Sequence, residues 1–187
     1  MNIIKKLPEN LINQIAAGEV IERPSSALKE LLENSIDAGS TEIEIFITDG
    51  GKSLIEVVDN GRGMTANDLK MCLQRHATSK ITDGDLVNIN SLGFRGEALP
   101  SIGSIAEISI DSHDMSENES WNISVMNNTL QDIVPSTIRE GTKVTIRDLF
   151  SKVPARLKFL KTNGTEVRYC REIVKHLAMS HPNIAFS

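Results

Sequence analysis

The chain has 187 residues, enough for one well-buried domain at about 100–200 residues per domain, and 40% of them are apolar against 24% charged. No apolar run approaches the roughly 20 residues of a membrane span, and 20 Lys and Arg against 25 Asp and Glu leave a net charge of −5, which excludes a uniformly basic nucleic-acid binder. Cys72 and Cys170 stand alone, so no C-x-x-C site and no disulfide framework is expected, in keeping with a reducing compartment.

The opening residues Met1 to Pro8 lack the apolar core of a signal peptide, so cytoplasm is the expected location and sequons such as Asn127-Asn128-Thr129 read as chance. Leu11, Ile12, Ile15 and Ala16 make a short helical stripe ahead of Gly18. Ser25 and Ser26 are good caps for a helix running to about Ala38, where Gly39 supplies a left-handed stop. Residues 42 to 48 alternate, with Ile43, Ile45 and Ile47 on one face, and Asp49-Gly50-Gly51 turns the chain into a second strand, Leu54 to Val58, as an antiparallel hairpin. Thr65 and Asp68 form a capping pair for a helix to about His76. Residues 77 to 98 read as a long functional loop, and a short helix follows around Ala98 to Ile102. Strands are expected near 104–112, 120–126, 129–134 and 141–148, then a closing helix capped by Asn163 with Glu166, in which Val167, Cys170, Ile173, Val174 and Leu177 recur at helical spacing. Helices with mostly antiparallel strands indicate a two-layer α+β sandwich. Residues 183–187 read as a strand just beginning, which suggests a piece of a longer protein.

Chemistry first gathers on the helix of residues 26–38. At 100° per residue Leu28, Leu31, Leu32 and Ser35 form the buried stripe, and Glu30, Asn34 and Asp37 share the opposite side. A carboxylate one turn before an amide can hold water with the first and a hydrated cation with the second, and magnesium favours such sparse oxygen ligation when phosphates complete its octahedron. An ordinary solvated helix face is the alternative. Next comes Asp59-Asn60-Gly61-Arg62-Gly63, where an acid closes an apolar strand and two glycines precede a helix. A carboxylate there can accept from an exocyclic amine, and the glycines let the backbone pass close to a ligand.

Two lookalikes fail. Gly61-x-Gly63-x-x-Ala66 imitates the dinucleotide fingerprint, but that unit needs a parallel crossover and this strand belongs to a hairpin. Gly51-Lys52-Ser53 echoes a P-loop, yet Phe46 stands where its first glycine belongs and no helix follows. The third element is Ala77-Thr78-Ser79-Lys80 with Gly93-Phe94-Arg95-Gly96-Glu97-Ala98-Leu99, hydroxyls, an ammonium and a helix start that would receive phosphate oxygens. Finally, Arg139 to Lys175 holds ten basic against four acidic side chains, either a solvated face or a patch for phosphate backbone or an acidic partner.

In order, Asn13-Gln14-Ile15-Ala16-Ala17-Gly18-Glu19-Val20, Lys29 to Gly39, Asp59 to Gly63, His76 to Lys80 and Gly93 to Leu99 closely resemble the N-terminal ATPase region of the MutL family of DNA mismatch-repair proteins. Gly141-Thr142 and Pro154-Ala155-Arg156-x-Lys158-Phe159-Leu160 extend the likeness over nearly the whole chain. The acid-glycine turn and the Glu30-Asn34 helix alone would fit the wider GHKL superfamily of gyrases, heat-shock chaperones and histidine kinases.

The resemblance implies a Bergerat-type α+β sandwich, a mixed, mostly antiparallel sheet with helices on one face. It implies an ATP-binding domain over 1–182 with a lid about 77–98, and the start of a second subdomain at 183–187. It implies a magnesium-dependent ATPase in which Glu30 is the general base and Asn34 holds the magnesium. Asp59 would take the adenine amino group with Thr142 beside it, near Gly61 and Gly63. Thr78, Ser79 and Lys80, then Gly93, Arg95, Gly96, Glu97, Ala98 and Leu99, would line or close over the phosphates. The family further implies ATP-driven dimerisation, a MutS-like mismatch-recognition partner, a downstream nuclease or helicase, and a DNA-facing basic surface formed in the dimer.

Family members add a γ-phosphate lysine from a second subdomain, so weak binding and slow hydrolysis are expected of this stretch alone. A nucleotide-binding interaction module without hydrolysis is the alternative. Two departures stand out: Ser151-Lys152-Val153 where the family carries an Asn before the proline, and Pro100 where it carries a small residue.

Overall fold

The computed structural model describes residues 7–74, 77 and 96–187, apart from the side chains of Glu9 and Asn10. Helix α1, Glu9–Val20, runs straight through Gly18. Its buried side is not the expected stripe. Leu11, Ile12 and Ile15 are 39–50% exposed, whereas Ala17 and the following Ile21 are fully buried. The reason is steric, because small residues let a helix approach closely. A Cβ on Gly18 would lie 1.8 Å from the Arg156 guanidinium, which instead donates to the Ile21 carbonyl at 3.3 Å.

Helix α2, Pro24–Asp37, begins one to two residues earlier than the serines suggest, with extended Arg23 at its N-cap. Pro24 takes the first helical position, where its fixed φ fits and its missing N–H is not needed. Ser25 is therefore buried inside the first turn rather than capping it. The helix stops as expected. Gly39 has φ +78°, its N–H donates to Ile36 and that of Ser40 to Ser35, the paired bonds of a Schellman motif.

Strand β1, Glu42–Thr48, turns at Asp49–Gly51 into β2, Leu54–Asp59, and the two pair antiparallel. Helix α3, Ala66–Met71, is capped by Thr65, whose hydroxyl accepts from the Asp68 amide. It ends well before His76, which lies outside the described residues. Helix α4 spans Ala98–Ile105, three residues longer than expected, so strand β3 starts only at Glu107 and ends at His113. Strand β4 is Trp121–Met126. The single strand expected over 129–134 is instead β5, Thr129–Leu130, and β6, Val134–Pro135. Asn127 and Asn128, both at positive φ, make a tight turn into β5, and the chain leaves the β4 edge before β6 rejoins it. Strand β7 is Gly141–Arg147, followed by α5, Pro154–Leu157, α6, Asn163–Ser180, and β8, Ala185–Phe186. The cap of α6 is Thr162, one residue before the expected Asn163. Glu166 reaches back to accept the Lys161 amide at 2.8 Å.

Among the described residues the strands form one sheet in the order β5-β4-β3-β7-β2-β1-β8, with β6 also on β4. Only β1 with β8 is parallel. Directly opposed residues of antiparallel neighbours share a face, so the register builds rows across β1, β2, β7, β3 and β4. One row is Ile47, Ile55, Ile146, Ile108 and Val125; the next is Ile45, Val57, Val144, Ile110 and Ile123. Leu28, Leu31 and Leu32 of α2, Leu69 of α3, Ile102 and Ile105 of α4 and Cys170 of α6 join the same core. Each fully buried aliphatic side chain stabilises by about 1.5–3 kcal/mol. The opposite face of the sheet is polar, with Thr145 donating to Glu56 at 2.8 Å and Asn122 to Ser109 at 2.9 Å. This is the expected two-layer α+β arrangement, a mixed sheet with helices on one face.

Candidate functional site

The apolar rows end in a polar one. Two residues further along the same face, the register places Asp59 of β2, Thr142 of β7 and Ser112 of β3 side by side, flanked by Ile43 and Trp121. All three polar side chains are less than a tenth exposed. Burial of this kind is costly unless each group finds partners. Asp59 Oδ2 accepts the Ser35 hydroxyl at 2.7 Å and Oδ1 accepts the Gly61 amide at 2.9 Å. A carboxylate has about four lone-pair positions, so both oxygens keep accepting capacity.

The Ser35 bond ties α2 to the end of β2 next to the turn that carries Asn34. Glu30, Asn34 and Asp37 are half-buried, while Leu28, Leu31, Leu32 and Ser35 are buried, the division the 3.6-residue period implied. Lys29 pairs with Glu33 at 2.7 Å on the same helix.

The loop after Asp59 is held from within. Asn60 Oδ1 accepts from the Thr41 and Glu42 amides at 2.9 and 3.0 Å, and the Arg62 amide donates to the Ala38 carbonyl. The two glycines meet neighbouring protein atoms closely. A Cβ at Gly61 would stand 2.7 Å from Ser40 Oγ, and one at Gly63, where φ is +72°, would stand 1.9 Å from the His113 carbonyl. Gly141, at φ +68°, likewise lies against the Asp59 carbonyl. This turn is packed between the C-terminal end of α2 and the ends of β3 and β7.

Of the other expected site residues, Gly96, Glu97, Ala98 and Leu99 lie at the start of α4, with Glu97 at its N-cap. Gly96 has φ +61°, and its Cβ position is 2.4 Å from the Ala77 carbonyl, so both ends of the expected 77–98 loop meet. Thr78, Ser79, Lys80, Gly93 and Arg95 lie outside the described residues. Pro100 occupies the first turn of α4, where its missing N–H breaks no helical bond. The 151–153 departure makes its own contact, Lys152 Nζ donating to the Gly103 carbonyl at 2.9 Å. Partial burial holds that ammonium below its ordinary range, opposed by Glu107.

Neither thiol is poised to react. Burial, reinforced by Asp68, pushes Cys72 up to about 12, and burial with Glu166 nearby pushes Cys170 up to about 11. Among the described residues no three His, Cys, Asp or Glu gather as a metal cluster. The carboxylates and amide of α2 are oxygen donors of the kind magnesium takes.

Sequence reading missed Ser112, which accepts the Met64 amide at 2.9 Å and touches Thr142 Oγ1 at 2.8 Å. The alternation Ile108, Ile110, Ser112 signals its face but not its neighbours. His113 has its ring between the Arg139 and Glu117 carbonyls.

The helix that carries Glu30 and Asn34 is thus tied through Ser35 to a strand-terminal aspartate that a glycine turn follows. Residues 21–148 match the histidine kinase-, DNA gyrase B- and HSP90-like ATPases, and the chain belongs to that family. Within it, the chain is similar to DNA mismatch repair protein MutL. It is 54% identical to that of Bradyrhizobium sp. (strain ORS 278) over 98% of this chain and 30% of the relative. With that of Rhodopseudomonas palustris (strain TIE-1) it is 52% identical, over 98% and 31%. The chain thus spans about 30% of the length of these curated relatives.

Among solved structures, it superposes on the Aquifex aeolicus MutL ATPase domain complexed with ADP with a TM-score of 0.74. That match is 34% identical and covers 89% of this chain and 59% of that one. The N-terminal domain of a DNA repair protein gives a TM-score of 0.78 at 31% identity, over 94% and 51%. No helix among the described residues is long and apolar enough to cross a membrane.

Proposed function

We propose that this chain is the ATP-binding, slowly hydrolysing switch domain of a DNA mismatch-repair protein. The observation that supports the reading is the Ser35–Asp59 bond, which ties α2, the helix that carries Glu30 and Asn34, to a buried strand-terminal carboxylate. Asp59 accepts the adenine amino group with Thr142 next to it, while Gly61 and Gly63 shape the turn. Asn34 is the residue that would hold magnesium, which supplies charge neutralisation across the phosphates. Glu30, one turn earlier on the same face, orients and deprotonates the attacking water. The start of α4, Gly96 to Leu99, receives phosphate oxygens, joined by Thr78, Ser79, Lys80, Gly93 and Arg95 of the lid. Phosphoryl transfer to water asks chiefly for such positioning and electrostatics. The ADP named with the Aquifex domain supports a nucleotide here.

In this reading the domain couples mismatch recognition to excision in the bacterial cytoplasm, at the nucleoid when acting. ATP closes residues 77–98 and drives dimerisation. A MutS-like protein and a nuclease or helicase are its partners. DNA meets the basic surface of α5 and α6, where Lys158, Lys161, Arg168, Arg171 and Lys175 are exposed. The ATP-binding unit takes in 1–182, and β8, within 183–187, pairs with β1 at the edge of the same sheet.

Replacing Glu30 by Ala tests the chemistry. Phosphate release should fall by about 10²–10⁴-fold, the usual worth of a general base, with ATP affinity retained. Unchanged turnover would leave a nucleotide-binding interaction module instead.

A further inference from the structure

Ser112 is wholly buried and makes three contacts from a hydroxyl that owns one proton. The Met64 amide donates to it at 2.9 Å. It donates to the Gly141 carbonyl at 3.2 Å. The third contact, to Thr142 Oγ1 at 2.8 Å, must then be donated by Thr142, because a hydroxyl offers one donor and two acceptor positions. Only this assignment makes all three contacts hydrogen bonds. With its proton committed to Ser112, the Thr142 hydroxyl can offer the space beside Asp59 only lone pairs.

We infer that Ser112 is a specificity-determining positioning residue: by taking the Thr142 proton it makes the Asp59–Thr142 pair an acceptor-only edge that selects a purine with an amino group at position 6 over one with an oxo group. This deepens the nucleotide reading above and rests on it. A 6-amino group brings protons to an edge that lacks them. A 6-oxo group, although it comes with a proton on N1, sets its own lone pairs against a carboxylate and a hydroxyl that cannot turn to donate, and buried unmatched polar groups are where binding sites discriminate most strongly. Freed of Ser112, Thr142 can rotate and donate to the oxo group.

The test compares magnesium-ATP with magnesium-inosine triphosphate, which differs from ATP in its 6-oxo group and the proton that this places on N1. Dissociation constants are measured by calorimetry for wild type and Ser112→Ala of the full chain. Wild type should prefer ATP, and S112A should shrink the preference by about tenfold, the worth of one hydrogen bond, by binding inosine triphosphate better relative to ATP. Should S112A fail to fold, Ser112→Cys, close in volume and a weak hydrogen-bonder, carries the same comparison. A ratio left unchanged, with both nucleotides weakened equally, would show Ser112 to be merely structural and overturn the inference alone. Wild type that binds neither nucleotide would overturn the underlying nucleotide reading together with it.

Discussion

Two stretches of the same sheet face behave oppositely. In the middle, Ile55, Ile146 and Ile108, then Val57, Val144 and Ile110, fill rows with aliphatic carbon. One row further, the same strands in the same register carry Asp59, Thr142 and Ser112, equally buried but polar. The core rows are stabilised by removing apolar area from water and tolerate any arrangement that fills the volume. The polar row is stable only as a closed set of hydrogen bonds, each member fixing the direction of the next. Core and site are therefore one construction, and the strand pairing that aligns the isoleucines also aligns the acceptors.

Substitutions can pull the two regions apart. The largest stability loss is expected at their junction. Gly141→Ala puts a Cβ 1.9 Å from the Asp59 carbonyl at a residue with φ +68°, and strain with overpacking should cost about 5 kcal/mol in denaturant unfolding. Ile110→Ala, in the apolar row, should cost about 2–5 kcal/mol, with nucleotide affinity unchanged at temperatures where the protein stays folded. If I110A instead weakened nucleotide binding selectively, the rows would not be separable.

Cys72 gives a smaller, pH-linked effect. Its thiol is held up to about 12 in the fold against 9.0 when free, so between these values the unfolded chain gives up a proton that the folded one keeps. Its contribution to stability is complete below pH 9 and is lost as pH rises towards 12, by one proton's linkage at most. Cys72→Ala should flatten the alkaline decline measured by urea titration at pH 8 and pH 10. Smallest of all, Lys29→Ala removes an i,i+4 pair with a half-exposed lysine and should change stability by less than about 0.5 kcal/mol.

Much of the local geometry around the candidate site could be read from residue spacing, and the reasons are local. The two faces of α2 follow from its 3.6-residue period, its stop from Gly39, and the hairpin from Asp49-Gly50-Gly51 between alternating strands. What escaped depends on contacts distant in sequence. The buried side of α1 includes Gly18, against which Arg156, far along the chain, lies. Periodicity favours the larger Leu11, Ile12 and Ile15, which stay exposed. Asp59 could be singled out as a strand-terminal acid, but its bond to Ser35 and its row with Thr142 and Ser112 arise only when β2, β7 and β3 pair. The residues 129–134 read as one strand because their composition does not show where the chain leaves the edge of β4.

The central claim is that the strand-terminal carboxylate beside α2 receives the nucleotide base. Calorimetry of magnesium-ATP with wild type and Asp59→Ala, both first shown to unfold cooperatively, tests it most directly. The account predicts binding by wild type and a loss of at least about 100-fold in affinity for D59A, as expected when a buried charged acceptor is removed. Equal affinity of the two proteins would contradict it.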